Sequence, residues 1–330
     1  MDDFSIATTE GIAQAEQAKT KKAYKKVNAP FGYFGSKNKI ALQLCSELPP
    51  HYCWVEAFCG SAALTLAKPP AAIEVINDID GEIVNVFEQL RNNQDEICRL
   101  VSLTPYAKQE LEKARISNAN DSELERARKF LVQAMFAING VFGREKGGFS
   151  YSQSYSRNGR DARVNRWYNL PERLEQVVER LRSVRVENRD AIELLEMFAN
   201  RPATLVYLDP PYLGERTEGY TNDANDGVYH LKMLKLANRA KCMVFISGYE
   251  NEVYDGFLTK KKGWERKTID TITKDSKGQS HDRSEVVWMN RHYQKAVKAG
   301  KVPIVLSEKE KKQNKVNPER LRTKTKRTNN

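Results

Sequence analysis

Four residues, Asp209-Pro210-Pro211-Tyr212, stand directly after an apolar run, Leu205-Val206-Tyr207-Leu208. A buried strand there would deliver an acid to its C-terminal end, where open α/β sheets bind ligands. The two prolines fix the backbone and remove amide donors. The Pro210 carbonyl then becomes a rigid acceptor beside the Asp209 carboxylate, and Tyr212 supplies a flat ring. Two acceptors and one stacking face match an exocyclic amino group on a planar base. A plain strand with a Pro-Pro turn is the bland alternative, and the position of the acid at a strand end weighs against it.

A second group, Val55-Glu56-Ala57-Phe58-Cys59-Gly60-Ser61-Ala62-Ala63, reads as a strand, a tight turn of small residues and a helix start. Small side chains let a cofactor approach the backbone closely. The spacing is not G-x-G-x-x-G, which disfavours a dinucleotide phosphate cradle. About twenty residues later, Val75-Ile76-Asn77-Asp78 ends the next apolar run with an acid, a place that commonly binds a ribose hydroxyl pair. Capping of the following helix is the competing role for Asp78. Asp190 follows the short run 184–188 and could accept from an adenine amino group or cap a helix over 191–199; both roles stay open. Near the start, Pro30–Lys37 is turn-rich and aromatic. It is not a Walker loop, because Lys37 is followed by Asn38 where that motif needs Ser or Thr.

These side chains need a sheet to hold them. Short apolar runs at 54–58, 73–77, 205–208, 243–246 and 286–289 each end in Gly, Asp, Asn or Pro or close to one. Continuous apolar runs of this length fit strands buried on both faces. Helical patterns at 83–90 and 229–240 lie between them, so the expected fold class is α/β, with a Rossmann-like, parallel sheet. From about 96 to 180 the texture is mainly helical. Ser122-x-x-Glu125 is a capping-box signature, followed by Leu124, Ala127, Leu131, Ala134, Met135 and Ile138 at helical spacing, with Gly140 placed to stop the helix. The stretch 140–169 then carries six cations, Arg144, Lys146, Arg157, Arg160, Arg163 and Arg166, against two acids, interleaved with aromatics and without a clear strand signal. It reads as part of an inserted subdomain facing a ligand. The expected organisation is a flexible arm at 1–28, a catalytic domain at 29–95 and 181–290, an insert at 96–180 and a basic tail at 291–330.

The formal charge of +11 is concentrated in that tail, where 13 Lys/Arg face 3 Asp/Glu, so the body is close to neutral. A basic tail on a neutral body fits a polyanionic partner or a solvated disordered segment. No apolar run reaches the ~20 residues of a membrane helix. The polar start, Met1-Asp2-Asp3, does not resemble a signal peptide. Five cysteines form no CxxC pair and four histidines are scattered, which argues against metal and disulfide frameworks and for a reduced, cytoplasmic setting.

In order along 29–290, these residues resemble the Dam-type adenine-specific DNA methyltransferases. Tyr33-Phe34-Gly35-Ser36-Lys37 stands at the family's aromatic-x-Gly-Gly-Lys segment, and Glu56-Ala57-Phe58-Cys59-Gly60-Ser61-Ala62 at its Glu-Pro-Phe-x-Gly-x-Gly turn. Asp78 stands at its ribose-binding acid, Asn139-Gly140 at an Asn-Gly pair of its recognition subdomain, and Asp209–Tyr212 at its Asp-Pro-Pro-Tyr. Ser247-Gly248-Tyr249 and the strand from Glu285 to Asn290 complete the order. The departures are Tyr33 for Trp, Ser36 for Gly, Ala57 for Pro and Ala62 for Gly, all mild for a pocket shaped by backbone.

The resemblance implies S-adenosylmethionine as cofactor, held by Tyr33, Lys37, Glu56, Phe58, Gly60, Asp78, Asp190 and Asp209. It implies methyl transfer to adenine N6 of a base flipped out of double-stranded DNA, with Asp209, Pro210, Pro211 and Tyr212 as the catalytic residues and the six cations at 144–166 on the DNA. No metal and no membrane enter this chemistry. Cytosine N4 also offers an amino group, though those enzymes more often carry Ser before Pro-Pro-Tyr. An inactive fold kept as a DNA-binding module would be expected to have lost Asp78 or Asp209. The recognition stretch does not reproduce the well-known Dam segment, so GATC is not implied.

Overall fold

The computed structural model describes residues 24–33, 35–138, 148–151, 156–213, 227–274 and 280–303. Its framework is a sheet built from β1 (Cys53–Glu56), β2 (Ile73–Asn77), β5 (Val184–Glu187), β6 (Thr204–Leu208), β7 (Met243–Gly248), β8 (Glu265–Lys274) and β9 (Ser280–Met289). The spatial order is β5-β2-β1-β6-β7-β9-β8. The first five neighbours are parallel. β9 runs antiparallel to both β7 and β8, so the expected all-parallel sheet is mixed at this edge. β1 and β6 lie side by side, yet the chain leaves them towards opposite edges of the sheet. That switch point opens a crevice beyond their C-terminal ends.

Alternation along the strands feeds two faces. Val206 and Leu208 of β6, with Val55, Val244, Ile246 and Trp288, pack on α9 (Ala191–Phe198), α10 (Gly227–Arg239) and α11 (Glu252–Phe257). Leu205 and Tyr207, with Trp54, Phe245 and Val287, pack on α1 (Ala41–Ser46), α2 (Ala63–Ala67) and α12 (Arg291–Ala299). Residues 291–299, expected to begin the basic tail, are instead this docked helix. Its start is capped by Asn290, and Tyr293 and Ala296 are buried. Apolar residues at spacing three face the sheet while Lys295 and Lys298 face out, so a charge count alone misread the segment.

α3 (Gly81–Asn92), α4 (Gln94–Leu103), α5 (Lys108–Ala114), α6 (Glu123–Phe136), α7 (Ala162–Tyr168) and α8 (Leu170–Leu181) cover the β2/β5 end. Ile83, Phe87, Ile97, Leu131, Trp167 and Leu174 from these helices share one core with Ile76 of the sheet. The 96–180 helices therefore pack on the catalytic layer rather than around a core of their own. Ser122 caps α6 by accepting from the Glu125 amide at 3.2 Å, as its motif requires, and the helix stops at Phe136, before the expected Gly140. The same region holds strands the sequence did not announce. β3 (Ser156–Arg157) and β4 (Arg160–Asp161) form a hairpin whose turn residues, Asn158 and Gly159, have φ of 53° and 72°. Asn-Gly with two positive φ angles is the preferred two-residue hairpin turn.

The arm expected to be flexible is fastened where it is described. Tyr24 OH donates to Leu66 O at 2.9 Å, Val27 N donates to the same carbonyl at 3.0 Å, and Phe31 is buried. No helix among the described residues is long and apolar enough to cross a membrane.

Candidate active site

A cleft lies at the C-terminal ends of β1, β2 and β6. Tyr33, Lys37, Glu56, Phe58, Gly60, Asp78, Asp209, Pro210, Pro211 and Tyr212 all line it, so the switch point unites residues spread over most of the chain.

One wall is the turn after β1. Gly60 has φ of 47° and Ala62 φ of 55°. A Cβ at Gly60 would sit 2.8 Å from Tyr33 Cδ1, so the tyrosine ring rests on bare backbone that only glycine provides. Asp78 fastens this turn. One carboxylate oxygen accepts from the Gly60 amide at 2.8 Å and the other from the Asp80 amide at 3.0 Å. The cap of α3 is Asp80, which accepts from Glu82 N at 2.9 Å, so Asp78 does not serve as the helix cap. Burial pushes the Asp78 carboxyl up to about 6 against the pull of those amides. Ser36, where the family pattern has glycine, reaches Ser61 of the turn at 3.0 Å between hydroxyls.

Glu56 is buried at the start of α2. It accepts from Thr65 N at 2.9 Å, from Leu64 N at 3.4 Å and from the Thr65 hydroxyl. Burial pushes its carboxyl up to about 7 in spite of those bonds. Its acceptors are thus engaged by the protein although it borders the cleft. Asp190 lies elsewhere. It caps α9 by accepting from Ile192 N at 2.7 Å, meets Tyr229 OH at 3.4 Å, and does not line the cleft.

Asp209 is the hub of a buried polar cluster. Lys37 Nζ donates to its two oxygens at 2.7 and 2.8 Å, and Ser247 Oγ donates to Oδ1 at 2.9 Å. Ser247 is held in turn by Tyr207 OH at 2.7 Å. Lys37 also donates to Tyr212 OH at 2.7 Å and lies 3.5 Å from Glu285 Oε1, while Tyr212 OH donates to Glu285 at 2.9 Å. Burial alone would lower the Lys37 ammonium, but Asp209 and Glu285 hold it above its ordinary value. Burial pushes the Glu285 carboxyl up to about 7, opposed by Lys37 and reinforced by Asp209. Sequence reading gave Glu285 and Ser247 places in a motif order but no chemistry. Only the antiparallel return of β9 beside β7 brings Glu285 to Lys37. The Tyr249 ring lies 4.2 Å from that of Tyr212, centroid to centroid.

The insert approaches the segment before Tyr33. Arg166 is half-buried, and a Cβ at Gly32 would meet its Nη2 at 3.3 Å. Burial and the neighbouring Arg163 lower the Arg166 guanidinium. Arg160, on the hairpin, stacks 4.0 Å over the exposed Tyr168 ring. Arg144, Lys146, Asn139 and Gly140 lie outside the described residues, as does the Arg157 side chain. No group of three or more potential metal ligands occurs among the described residues.

The model of the D12 class N6 adenine-specific DNA methyltransferases matches residues 33–251. The Type II methyltransferase M1.LlaDCHI of Lactococcus lactis subsp. cremoris is 23% identical over 215 residues, which span 61% of this chain and 72% of that protein. Among solved structures, a putative RNA methyltransferase from Pyrococcus horikoshii is 11% identical at a TM-score of 0.35, covering 86% of this chain and 98% of that one. A precorrin 8w decarboxylase from Methanobacterium thermoautotrophicum is 9% identical at a TM-score of 0.31, over 76% of this chain and 88% of that one. With about two thirds of its length matched by one family model, including the turn after β1 and the Asp-Pro-Pro-Tyr after β6, the chain belongs to the D12 class N6 adenine-specific DNA methyltransferase family.

Proposed function

We propose that this methyltransferase transfers the methyl group of S-adenosylmethionine to N6 of an adenine flipped out of double-stranded DNA. The observation that carries the reading is the single cleft shared by the Gly60 turn, Asp78 and Asp209. The donor set fits the cofactor. Tyr33, seated on the Gly60 backbone, and Phe58 offer apolar faces, and Asp78 suits a pair of ribose hydroxyls. When bound, S-adenosylmethionine supplies an electrophilic methyl group on sulfur. Lys37 is committed to Asp209 and Tyr212 and Glu56 to Leu64 and Thr65, so their part in cofactor binding is indirect, and Asp190 stands outside the cleft at the cap of α9.

The chain's own residues handle the nucleophile. The adenine amino group is weakly nucleophilic because its lone pair is delocalised into the ring. Acceptance of its two N–H bonds by Asp209 and the Pro210 carbonyl would favour a pyramidal nitrogen and absorb positive charge as it develops. Flipping costs a few kcal/mol, and stacking on Tyr212 would return roughly 1–3 kcal/mol of it. The Lys37 ammonium binds both Asp209 oxygens in the free protein, so an entering amino group competes with it for that carboxylate.

We assign the 96–180 insert to target recognition, with Arg144, Lys146, Arg157, Arg160, Arg163 and Arg166 as DNA-contacting residues, and the cytoplasm as the place of action. Five free cysteines suit a reducing compartment. The test is Asp209→Ala, assayed for methyl transfer to DNA and for DNA binding. Methylation is expected to vanish while DNA affinity stays within about twofold, since Asp209 meets the base and not the phosphates. Substantial methylation by folded Asp209→Ala protein would overturn the assignment. Sequencing of methylated DNA from expressing cells identifies the base and its context.

A further inference from the structure

Glu285 is a buried carboxylate that the reaction described above does not use. It stands on β9, the antiparallel strand, against Lys37 and Tyr212, which line the cleft. Two donors meet it: Tyr212 OH at 2.9 Å and the Lys37 ammonium at 3.5 Å. Around it stand Lys37 from the loop before α1, Asp209 and Tyr212 from the loop after β6, and Tyr207 of β6. Lys37 is the one cation among these groups. It lies between two carboxylates and is now closer to Asp209, at 2.7 Å, than to Glu285.

Entry of a target amino group changes the balance. The amino group shares Asp209 with Lys37, which meets both oxygens, and with Ser247, which meets Oδ1, so each new bond to Asp209 weakens its hold on the ammonium. A buried ammonium left without a carboxylate is costly, so displacement requires a second anion within reach. The side chain of Lys37 is almost fully buried and cannot swing to water without leaving the cluster. Glu285 is the second anion, and the Tyr212 hydroxyl already bridges it to Lys37.

We infer that Glu285 is a positioning residue that takes over the Lys37 ammonium when Asp209 turns to the target base. The two carboxylates act as alternative stations for one cation. No covalent bond changes in this step: the ammonium keeps its protons and exchanges one carboxylate partner for the other. Tyr212, which donates to Glu285, is thereby held in orientation at the moment its ring is needed for stacking. This rests on the assignment of Asp209 to the amino group.

The test is Glu285→Gln, which keeps shape and removes charge, measured as single-turnover methylation at saturating S-adenosylmethionine and DNA. The rate is expected to fall at least about tenfold, the equivalent of the roughly 1.5 kcal/mol of one hydrogen bond to a charged group. Affinities for cofactor and DNA should be unchanged. The wild-type rate should also decline on acidification as Glu285 takes up its proton, at a pH below its free-protein value because the ammonium then favours the carboxylate, and Glu285→Gln should lack that contribution. Glu285→Asp should restore part of both the rate and the pH dependence. In a Lys37→Met background, Glu285→Gln should cause no further loss. A Glu285→Gln protein with the wild-type rate and pH profile would overturn the inference. So would an equal loss with Lys37 absent, because Glu285 would then act independently of the cation. Failure of the Asp209 assignment reads differently, as methylation surviving in Asp209→Ala.

Discussion

Asp78→Asn separates cofactor recognition from bracing of the Gly60 turn. The carboxylate accepts from two amides, Gly60 N at 2.8 Å and Asp80 N at 3.0 Å, and is only 8% exposed. Its folded pKa, pushed by burial from 3.8 to about 6, means that the charged form is disfavoured in the fold by roughly 3 kcal/mol. The sign follows from linkage: for a carboxyl raised on folding, this cost is absent below the unfolded pKa and fully present once pH exceeds the folded one. Asparagine escapes that cost, keeps one acceptor oxygen and turns an NH2 towards one of the two amides. The loss of one bond to a charged acceptor, about 1.5–3 kcal/mol, roughly offsets the relief. The melting temperature without cofactor should therefore move by no more than about 3 °C. Cofactor binding has no such compensation. Ribose hydroxyls lose a charged acceptor, and affinity should drop by about 10–150-fold. Calorimetric titration with S-adenosylmethionine at about pH 8, beside a thermal melt, measures both quantities. Wild-type affinity should weaken as pH falls through about 6, and that of the variant should not. An Asp78→Asn protein that binds as tightly as wild type would refute the ribose assignment and leave Asp78 as a turn brace.

Gly60→Ala should lower both stability and cofactor affinity. The left-handed backbone alone costs about 1–2 kcal/mol, and the new Cβ at 2.8 Å must displace the Tyr33 ring; a melt and a titration equal to wild type would contradict this contact. Alanine changes at Arg160, Arg163 and Arg166 should divide into two kinds, read by methylation of a site library and by salt titration. A base-reading arginine costs about 1–3 kcal/mol on the preferred site and relaxes one position, whereas a phosphate contact weakens all sequences and lowers the salt slope by about one. Removal of 304–330, with nine Lys/Arg and three Asp/Glu, should reduce low-salt DNA affinity without altering the methylated sequence. The melting temperature should hold, because the cut spares α12 and the buried Val302.

The central sheet was legible because its strands carry apolar runs too short for helices and end in turn-forming residues. β6 shows this most clearly, all five residues being buried and the acid following at once. β8 was not legible. Glu265–Lys274 alternates charged and hydroxyl residues with isolated isoleucines, as an edge strand can. The β3–β4 hairpin carried its signal only in Asn158-Gly159, since two-residue strands have no room for alternation. Gly60 and Asp78 were found from local spacing because their contact spans a single strand–helix–strand unit. Glu285 was not given a role because its partners, Lys37 and Tyr212, are joined to it only through the sheet order.

The Lys37–Asp209 pair joins residues 172 positions apart in sequence, with the whole helical insert between them. Contacts of such separation form late, since the intervening chain must be ordered before the loop between them closes at tolerable entropy. Catalytic competence is thus expected late as this chain folds. During refolding from denaturant, helical signal from α3–α8 should recover before methyl transfer does. A nascent or partly folded chain would bring no active cleft to DNA until the sheet on either side of the insert had closed.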